Sequence, residues 1–190
     1  MNILLIRHGE CQQNEADPAL TSSGQVQAQQ LAKLLNQILL TKVYVSDNVR
    51  AVKTFEEYIK LNPNTRFVKT NKLREIYRTL VGGPKKVGTD PLREARDKTR
   101  IDSFWHELLE SKDETVAIFT HGNVIRYLLA NVLGMKPENS WTRMVINCCS
   151  ISLIQKDKDS ICVKLINSID HLEQPSKIYT GPVEKNIFID

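Results

Sequence analysis

The chain has 190 residues, 41% of them hydrophobic and 25% charged, and 26 Lys and Arg against 22 Asp and Glu leave a net charge of +4. That is enough chain to bury a core without disulfide staples, at an ordinary globular composition. It excludes a disordered chain, a fibrous repeat and a membrane bundle. The basic excess is mild and dispersed, which argues against a nucleic-acid partner and fits an anionic small substrate or a phosphoprotein.

The opening run Met1–Ile6 is apolar over only about six residues before Arg7-His8. A secretory signal or a membrane helix needs a longer run, so Ile3–Ile6 is predicted to be a strand buried on both faces. Thr21–Leu40 reads as a helix, with Thr21 as N-cap and Leu31, Leu34, Leu35 and Ile38 at helical spacing. Lys42–Val45 is a second strand, Asn48–Leu61 a second helix stopped by Asn62-Pro63, and Arg66–Lys69 a third, weaker strand. Arg78–Asp90 carries Gly82-Gly83-Pro84 and Gly88 and reads as a loop. Pro91–Ser111 suits a helix with an early proline. Thr115–Phe119 is the clearest internal strand, and Asn123–Leu133 a helix ending at Gly134. Ser150–Gln155 and Ile161–Asn167 form a hairpin around Lys156–Asp159, and the tail beyond His171 is irregular.

Strands alternating with helices predict a three-layer α/β/α sandwich with a mostly parallel central sheet, the terminal hairpin adding one antiparallel strand. With no repeat or linker, residues 1–190 read as a single domain. The four cysteines (Cys11, Cys148, Cys149, Cys162) lack zinc spacing and read as reduced thiols of a cytoplasmic protein. Cys148 and Cys162 are expected in the core, and Cys11 is either wall packing or an oxidisable thiol near the site.

In such sheets ligands sit beyond the carboxyl ends of the strands. Arg7-His8-Gly9-Glu10 follows the first strand, Ser46–Arg50 the second, Glu75 the third and His121-Gly122 the fourth. Two arginines, two histidines and a glutamate therefore converge on one face, and the chemistry they suggest is phosphoryl transfer. A neutral imidazole at His8 is a good nucleophile near pH 7. Arg7 and Arg50 supply fixed, planar donors to phosphoryl oxygens, and His121 adds another. Glu75 is the candidate acid for the leaving oxygen and then the base for water, with Asp90 or Glu94 next in line. The glycines Gly9 and Gly122 allow close backbone approach to phosphate. The arginines stand where a metal would otherwise be needed, so neither metal nor cofactor is expected.

These residues resemble the histidine phosphatase superfamily, in its phosphoglycerate-mutase-like branch. Arg7-His8-Gly9-Glu10 with Asn14, Leu20-Thr21 with Gly24, Gln27 and Ala28, Ser46 with Arg50, Ala51 and Thr54, Leu73 with Glu75, and Thr120-His121-Gly122 match its blocks in order, over residues 3 to about 155. The resemblance implies His8 as the phosphorylated nucleophile, Arg7, Arg50 and His121 as the phosphate pocket, Asn14 as a phosphate contact and Glu75 as proton donor. The mutases of the family have glycine four residues after the acid, where this chain has Thr79, and a longer insertion in that region. Hydrolysis is therefore expected over mutase activity. The stretch His121–Tyr127, with Trp141, Cys149–Ser152 and Leu73–Glu75, is similar to the mitochondrial phosphoglycerate-mutase-like serine/threonine protein phosphatases. The expected substrate is thus a phosphoprotein, or alternatively a small phosphate ester such as a sugar phosphate, and the remaining alternatives are a phosphoglycerate mutase and an inactive phospholigand binder. No membrane contact is expected of this chain, read as a free-standing relative or a catalytic domain without an anchoring extension; the family allows a homodimer.

Other residues stay open or bland. Glu10 is either site rim or solvent-facing. Lys85-Lys86 either steer an anion or are ordinary loop lysines, and Arg126 either reaches substrate or packs. Arg96 and Arg100 read as a solvated helix face, and His106 and His171 as surface residues. The apolar tail tripeptide Ile187-Phe188-Ile189 is a candidate contact.

Overall fold

The computed structural model describes residues 1–12, 17–88, 90 and 92–173. Its strands are β1 (Asn2–Arg7), β2 (Lys42–Ser46), β3 (Phe67–Thr70), β4 (Thr115–Thr120), β5 (Ile151–Lys156) and β6 (Ile161–Ser168). Its helices are α1 (Ser22–Leu35), α2 (Val49–Leu61), α3 (Arg93–Leu109) and α4 (Gly122–Val132). The sheet order is β3-β2-β4-β1-β5-β6. Pairings among the first four are parallel, and β5 is antiparallel to both neighbours. A single strand therefore runs against the rest among the described residues, as the hairpin predicted.

The pleat explains the layers. Successive side chains of a strand point to opposite faces. Ile3 and Leu5 of β1, with Val116 and Ile118 of β4, pack under α3 and α4. Leu4, Ile6, Ala117 and Phe119 pack on the other face under α1 and α2. Strands buried on both faces must be apolar throughout, and Ile3–Ile6 are at most 5% exposed. Burying each such side chain is worth roughly 1.5–3 kcal/mol. The chain leaves β1 through α1 on one face and β4 through α4 on the other. The two central strands therefore open a crevice at their shared carboxyl end.

Element boundaries differ from expectation in two places. Thr21 caps α1 by accepting from Gly24 N–H at 3.0 Å, but the helix stops at Leu35 rather than Leu40. The bonds Gln37 N–H to Leu34 and Ile38 N–H to Leu35 tighten its last turn and release the chain towards β2. The presumed loop contains a 3₁₀ turn at Arg78–Val81, ended by Gly82 in the left-handed region at φ 83°; another 3₁₀ turn, Asn71–Leu73, follows β3. Pro91 and the tail tripeptide lie outside the described residues. Cys148 is buried as expected, whereas Cys162 is half-buried on the edge strand β6.

Candidate active site

His8 is the first residue beyond β1 and is 4% exposed. Its Nδ1 lies 2.8 Å from the Gly9 carbonyl oxygen, and Arg50 Nε–H donates to its Nε2 at 3.1 Å. A carbonyl only accepts, so Nδ1 carries the proton and Nε2 the lone pair. The nitrogen with the lone pair, the one able to act as a nucleophile, is therefore the one that faces Arg50. Burial, then the charges of Arg7 and Arg50, hold His8 well below the usual histidine range, so the ring is neutral at physiological pH.

His121 follows β4, the strand paired in register with β1 (Arg7 opposite Thr120). Its ring centroid lies 5.2 Å from that of His8, edge to face. Its Nε2 is 2.8 Å from Ser46 Oγ at the end of β2. Ser46 Oγ also accepts from Asn48 N–H at 3.4 Å, and its hydroxyl proton can be donated to His121 Nε2. That assignment leaves a proton on His121 Nδ1, a buried atom without a hydrogen-bond partner among the described residues. Burial, then His8, Arg50 and Arg7, keep this ring neutral too.

Arg7 is 6% exposed. One terminal nitrogen donates to the Ile146 carbonyl at 2.5 Å, while its Nε, like His121 Nδ1, has no partner among the described residues. Buried donors left unpaired are costly, about 1–3 kcal/mol each, and two of them beside a cationic cluster suit an oxyanion. A Cβ on Gly122 would lie 3.5 Å from Arg7 Nε, so the missing side chain keeps this face of α4's first turn clear. Gly9 has a different reason. A Cβ there would come within 2.7 Å of the Gly24 carbonyl oxygen, so it serves the packing of α1 against the loop rather than phosphate approach.

Arg50 extends from the first turn of α2, and its guanidinium also pairs with Asp17 at 3.3 Å. Both Asp17 carboxylate oxygens accept from Val49 N–H at 3.0 Å, capping the same helix. Thr54, one turn on, accepts from Gly9 N–H at 2.9 Å and donates to the Arg50 carbonyl at 2.7 Å. This one hydroxyl ties the loop after His8 to the helix of Arg50. Thr54 was visible only as a member of a matched block, and its contacts supply the reason. Asp17 carried no signal in the sequence pattern.

Glu75 is half-buried on the connection after β3. Its Oε1 accepts from Asn123 N–H at 3.2 Å, at the N-terminus of α4. Burial raises its carboxyl above the ordinary range, against the pull of Arg50, Arg7 and Arg126. A carboxyl whose proton affinity is raised beside Arg7 and Arg50 is suited to proton donation. The fallback acids lie elsewhere: Asp90 is exposed and pairs with Arg96, and Glu94 is exposed and accepts from Thr79 Oγ1 at 2.9 Å. Asn14, the remaining expected phosphate contact, lies outside the described residues.

Several open residues are now placed. Arg126 is packed. It is 1% exposed, donates to the Met144 carbonyl and to Asn123 Oδ1 at 3.0 Å, and stacks 5.0 Å from the Trp141 ring. Burial, then Arg7, lower its pKa to about 10. Glu10 is a structural tie, its carboxylate accepting from Thr21 Oγ1 at 2.9 Å and its N–H donating to Gln27 Oε1 at 3.0 Å. Cys11 is half-buried, and burial raises its thiol despite the nearby arginines, which favours wall packing over reactivity. His171 is half-buried rather than surface, with Nε2 3.1 Å from the Cys149 carbonyl oxygen. Arg100 is also no solvated residue, its side chain being 20% exposed. Lys85, Lys86 and His106 are exposed. Among the described residues no group of histidines, cysteines and carboxylates is placed to hold a metal ion, and no helix is long and apolar enough to cross a membrane.

Known proteins resemble this chain in sequence and in fold. The mitochondrial serine/threonine-protein phosphatase Pgam5 of Caenorhabditis briggsae is 30% identical, over 93% of this chain and 66% of its own length. The protein of that name from Drosophila mojavensis is 34% identical, over 97% of this chain and 68% of its own. The chain thus spans just under two thirds of the nematode relative. Among solved structures, the alpha-ribazole phosphatase of Shigella flexneri superimposes with a TM-score of 0.74 at 23% identity, covering 88% of this chain and 96% of that one. A phosphoserine phosphatase from Entamoeba histolytica, in complex with 3-phosphoglyceric acid, gives 0.70 at 18% identity, covering 90% and 98%. The family model for the histidine phosphatase superfamily (branch 1) matches residues 3–86 and 94–169, and the chain belongs to that superfamily.

Proposed function

We propose that the protein is a phosphomonoester hydrolase that works through a phosphohistidine at His8. The observation that carries this reading is the set of donors around His8 Nε2: Arg50 bonded to it, His121 5.2 Å away ring to ring, and two buried donors, Arg7 Nε and His121 Nδ1, without partners. Attack on a phosphate dianion must overcome charge repulsion, and fixed cations and N–H groups in a low-dielectric site offset it. The His8 Nε2 lone pair attacks phosphorus, and the ester oxygen leaves with its bonding electrons and the Glu75 proton. The Glu75 carboxylate then takes a proton from water as its oxygen attacks phosphorus. The P–N bond breaks, inorganic phosphate leaves, and His8 and Glu75 return to their starting states. The arginines carry the charge compensation, and no metal or cofactor enters the scheme.

Phosphoserine or phosphothreonine in a protein ranks first as substrate. Support comes from the relatives named serine/threonine-protein phosphatases, at 30–34% identity along nearly the whole of this chain. A small phosphate ester is the second reading, supported by the fold shared with the alpha-ribazole and phosphoserine phosphatases. The four cysteines are free, which supports a reducing compartment such as the cytoplasm; the named relatives are mitochondrial, and fractionation of the native protein decides between them.

The test is a paired assay of wild type and His8→Ala on p-nitrophenyl phosphate in the presence of a chelator, with trapping of acid-labile phosphoenzyme. Turnover and labelling in wild type alone are expected. Folded wild type with neither would sink the hydrolase reading and leave a phospholigand binder.

A further inference from the structure

The acid candidate sits on a connection with little regular structure of its own, yet helix α3 grips that connection on both sides of it. One terminal nitrogen of Arg100 donates to the carbonyl oxygens of Asn71, Lys72 and Arg74, each at 2.9 Å. Its other terminal nitrogen donates to Asp97 Oδ1 at 2.8 Å, one turn back on the same helix. The second oxygen of that carboxylate, Oδ2, accepts from Tyr77 N–H at 2.9 Å. The pair therefore fastens three carbonyls that precede Glu75 and one N–H that follows it. Both side chains are largely buried, at 20% and 13% exposure, so the bonds are shielded from competing water. Below them α3 is fixed to the sheet by Ile101, Phe104 and Leu108, all at most 3% exposed. A surface ion pair alone contributes little. This one is placed differently, because its spare hydrogen bonds go to the backbone of a single short segment.

We propose that Asp97 and Arg100 are positioning residues for catalysis, holding the Glu75 carboxyl at the N-terminus of α4 and over the leaving-group side of His8. The inference rests on the assignment of Glu75 as the acid. A proton donor must stay within hydrogen-bond reach of the leaving oxygen, and a misplacement of about 1 Å can cost roughly 100-fold. A loosened segment therefore leaves the phosphate pocket intact and impairs protonation of the leaving group.

The test compares kcat/KM on two esters. An alkyl phosphate such as phosphoserine needs a proton on its leaving oxygen, whereas p-nitrophenolate leaves as a stable anion. Glu75→Gln is expected to lose far more activity on phosphoserine than on p-nitrophenyl phosphate. Arg100→Met is expected to repeat that selectivity, losing about 10- to 100-fold on phosphoserine and keeping p-nitrophenyl phosphate turnover to within about two-fold. It is expected to add nothing further in a Glu75→Gln background, since residues acting through one group are not additive. Asp97→Asn, which keeps the shape and one acceptor, is expected to shift in the same direction by less, and it stands in should Arg100→Met fail to fold. An equal loss on both esters, a full additive loss in the double variant, or no loss at all each overturns the positioning role. If Glu75→Gln itself shows no leaving-group selectivity, the acid assignment falls and the inference falls with it.

Discussion

The proposed nucleophile and the proposed acid occupy differently built parts of the molecule. His8, Arg7 and His121 stand at the ends of two adjacent central strands, in one register, buried beneath helices on both faces. Glu75 stands on a connection between 3₁₀ turns beyond the edge strand β3, whose apolar residues Phe67 and Val68 are exposed. The first group is fixed by sheet geometry that many side chains share. The second is fixed by a few side-chain bonds reaching across from α3 and α4. Position in a sheet is insensitive to single substitutions in connections, whereas a cross-braced loop depends on each brace. On this view phosphate capture is the robust half of the site, and leaving-group chemistry the adjustable half.

The sharpest ways to break that comparison are substitutions confined to one half. After loss of the nucleophile itself, Arg50→Ala is expected to have the largest effect, lowering kcat/KM about 10²- to 10³-fold on every ester tested. Its pairing with the partly exposed Asp17 contributes at most about 1 kcal/mol, so thermal unfolding should hardly move. A loss confined to alkyl esters would place Arg50 on the wrong half. Glu75→Gln comes next, with roughly 10²-fold expected on alkyl phosphates and much less on p-nitrophenyl phosphate. Equal losses on both would merge the two halves into one.

Thr54→Val tests the joint between strand end and helix. The replacement keeps volume but strands the Gly9 N–H, which now donates to Thr54 Oγ1. An unpaired buried donor costs about 1–3 kcal/mol. A lower denaturant midpoint at unchanged slope is the expected reading, together with a few-fold loss in kcat. An unchanged midpoint would mean that Gly9 finds another acceptor, and that the hydroxyl does not join the two elements.

Legibility in the sequence follows the same division. The central strands announced themselves through unbroken apolar runs, and Arg7, His8, Ser46, Arg50 and His121 through their places at strand ends. The braces did not. Arg96 and Arg100 are identical in spacing terms, four apart on one helix, yet Arg96 pairs with exposed Asp90 while Arg100 turns inward to three carbonyls. Helical periodicity assigns a face, and a residue on the border of that face is decided by what packs opposite it. Arg126 was undecided for the same reason. The early end of α1 was hidden because Leu39 and Leu40 continue the apolar pattern after the backbone has left the helix; Leu39 is 88% exposed.

The smallest expected effect is a pH dependence of stability, and it distinguishes the two halves by sign. Burial lowers His8 and His121 well below, and His171 below, the histidine value of about 6.5. Above that value these groups are neutral folded or unfolded and contribute no slope. As pH falls below it, the unfolded chain takes up protons that the folded one does not, so stability is lost towards the folded values. Glu75 works in the opposite sense. Its folded carboxyl is raised above its usual value, so its contribution is complete at low pH and is lost as pH rises through the raised value. Melting temperature should therefore fall between about pH 7 and pH 5.5 in wild type. His121→Gln, which keeps a hydrogen-bonding group for Ser46, should make that fall shallower, and Glu75→Gln should remove the contribution of opposite sign. A His121→Gln slope equal to wild type would assign the proton uptake to His8 or His171 instead.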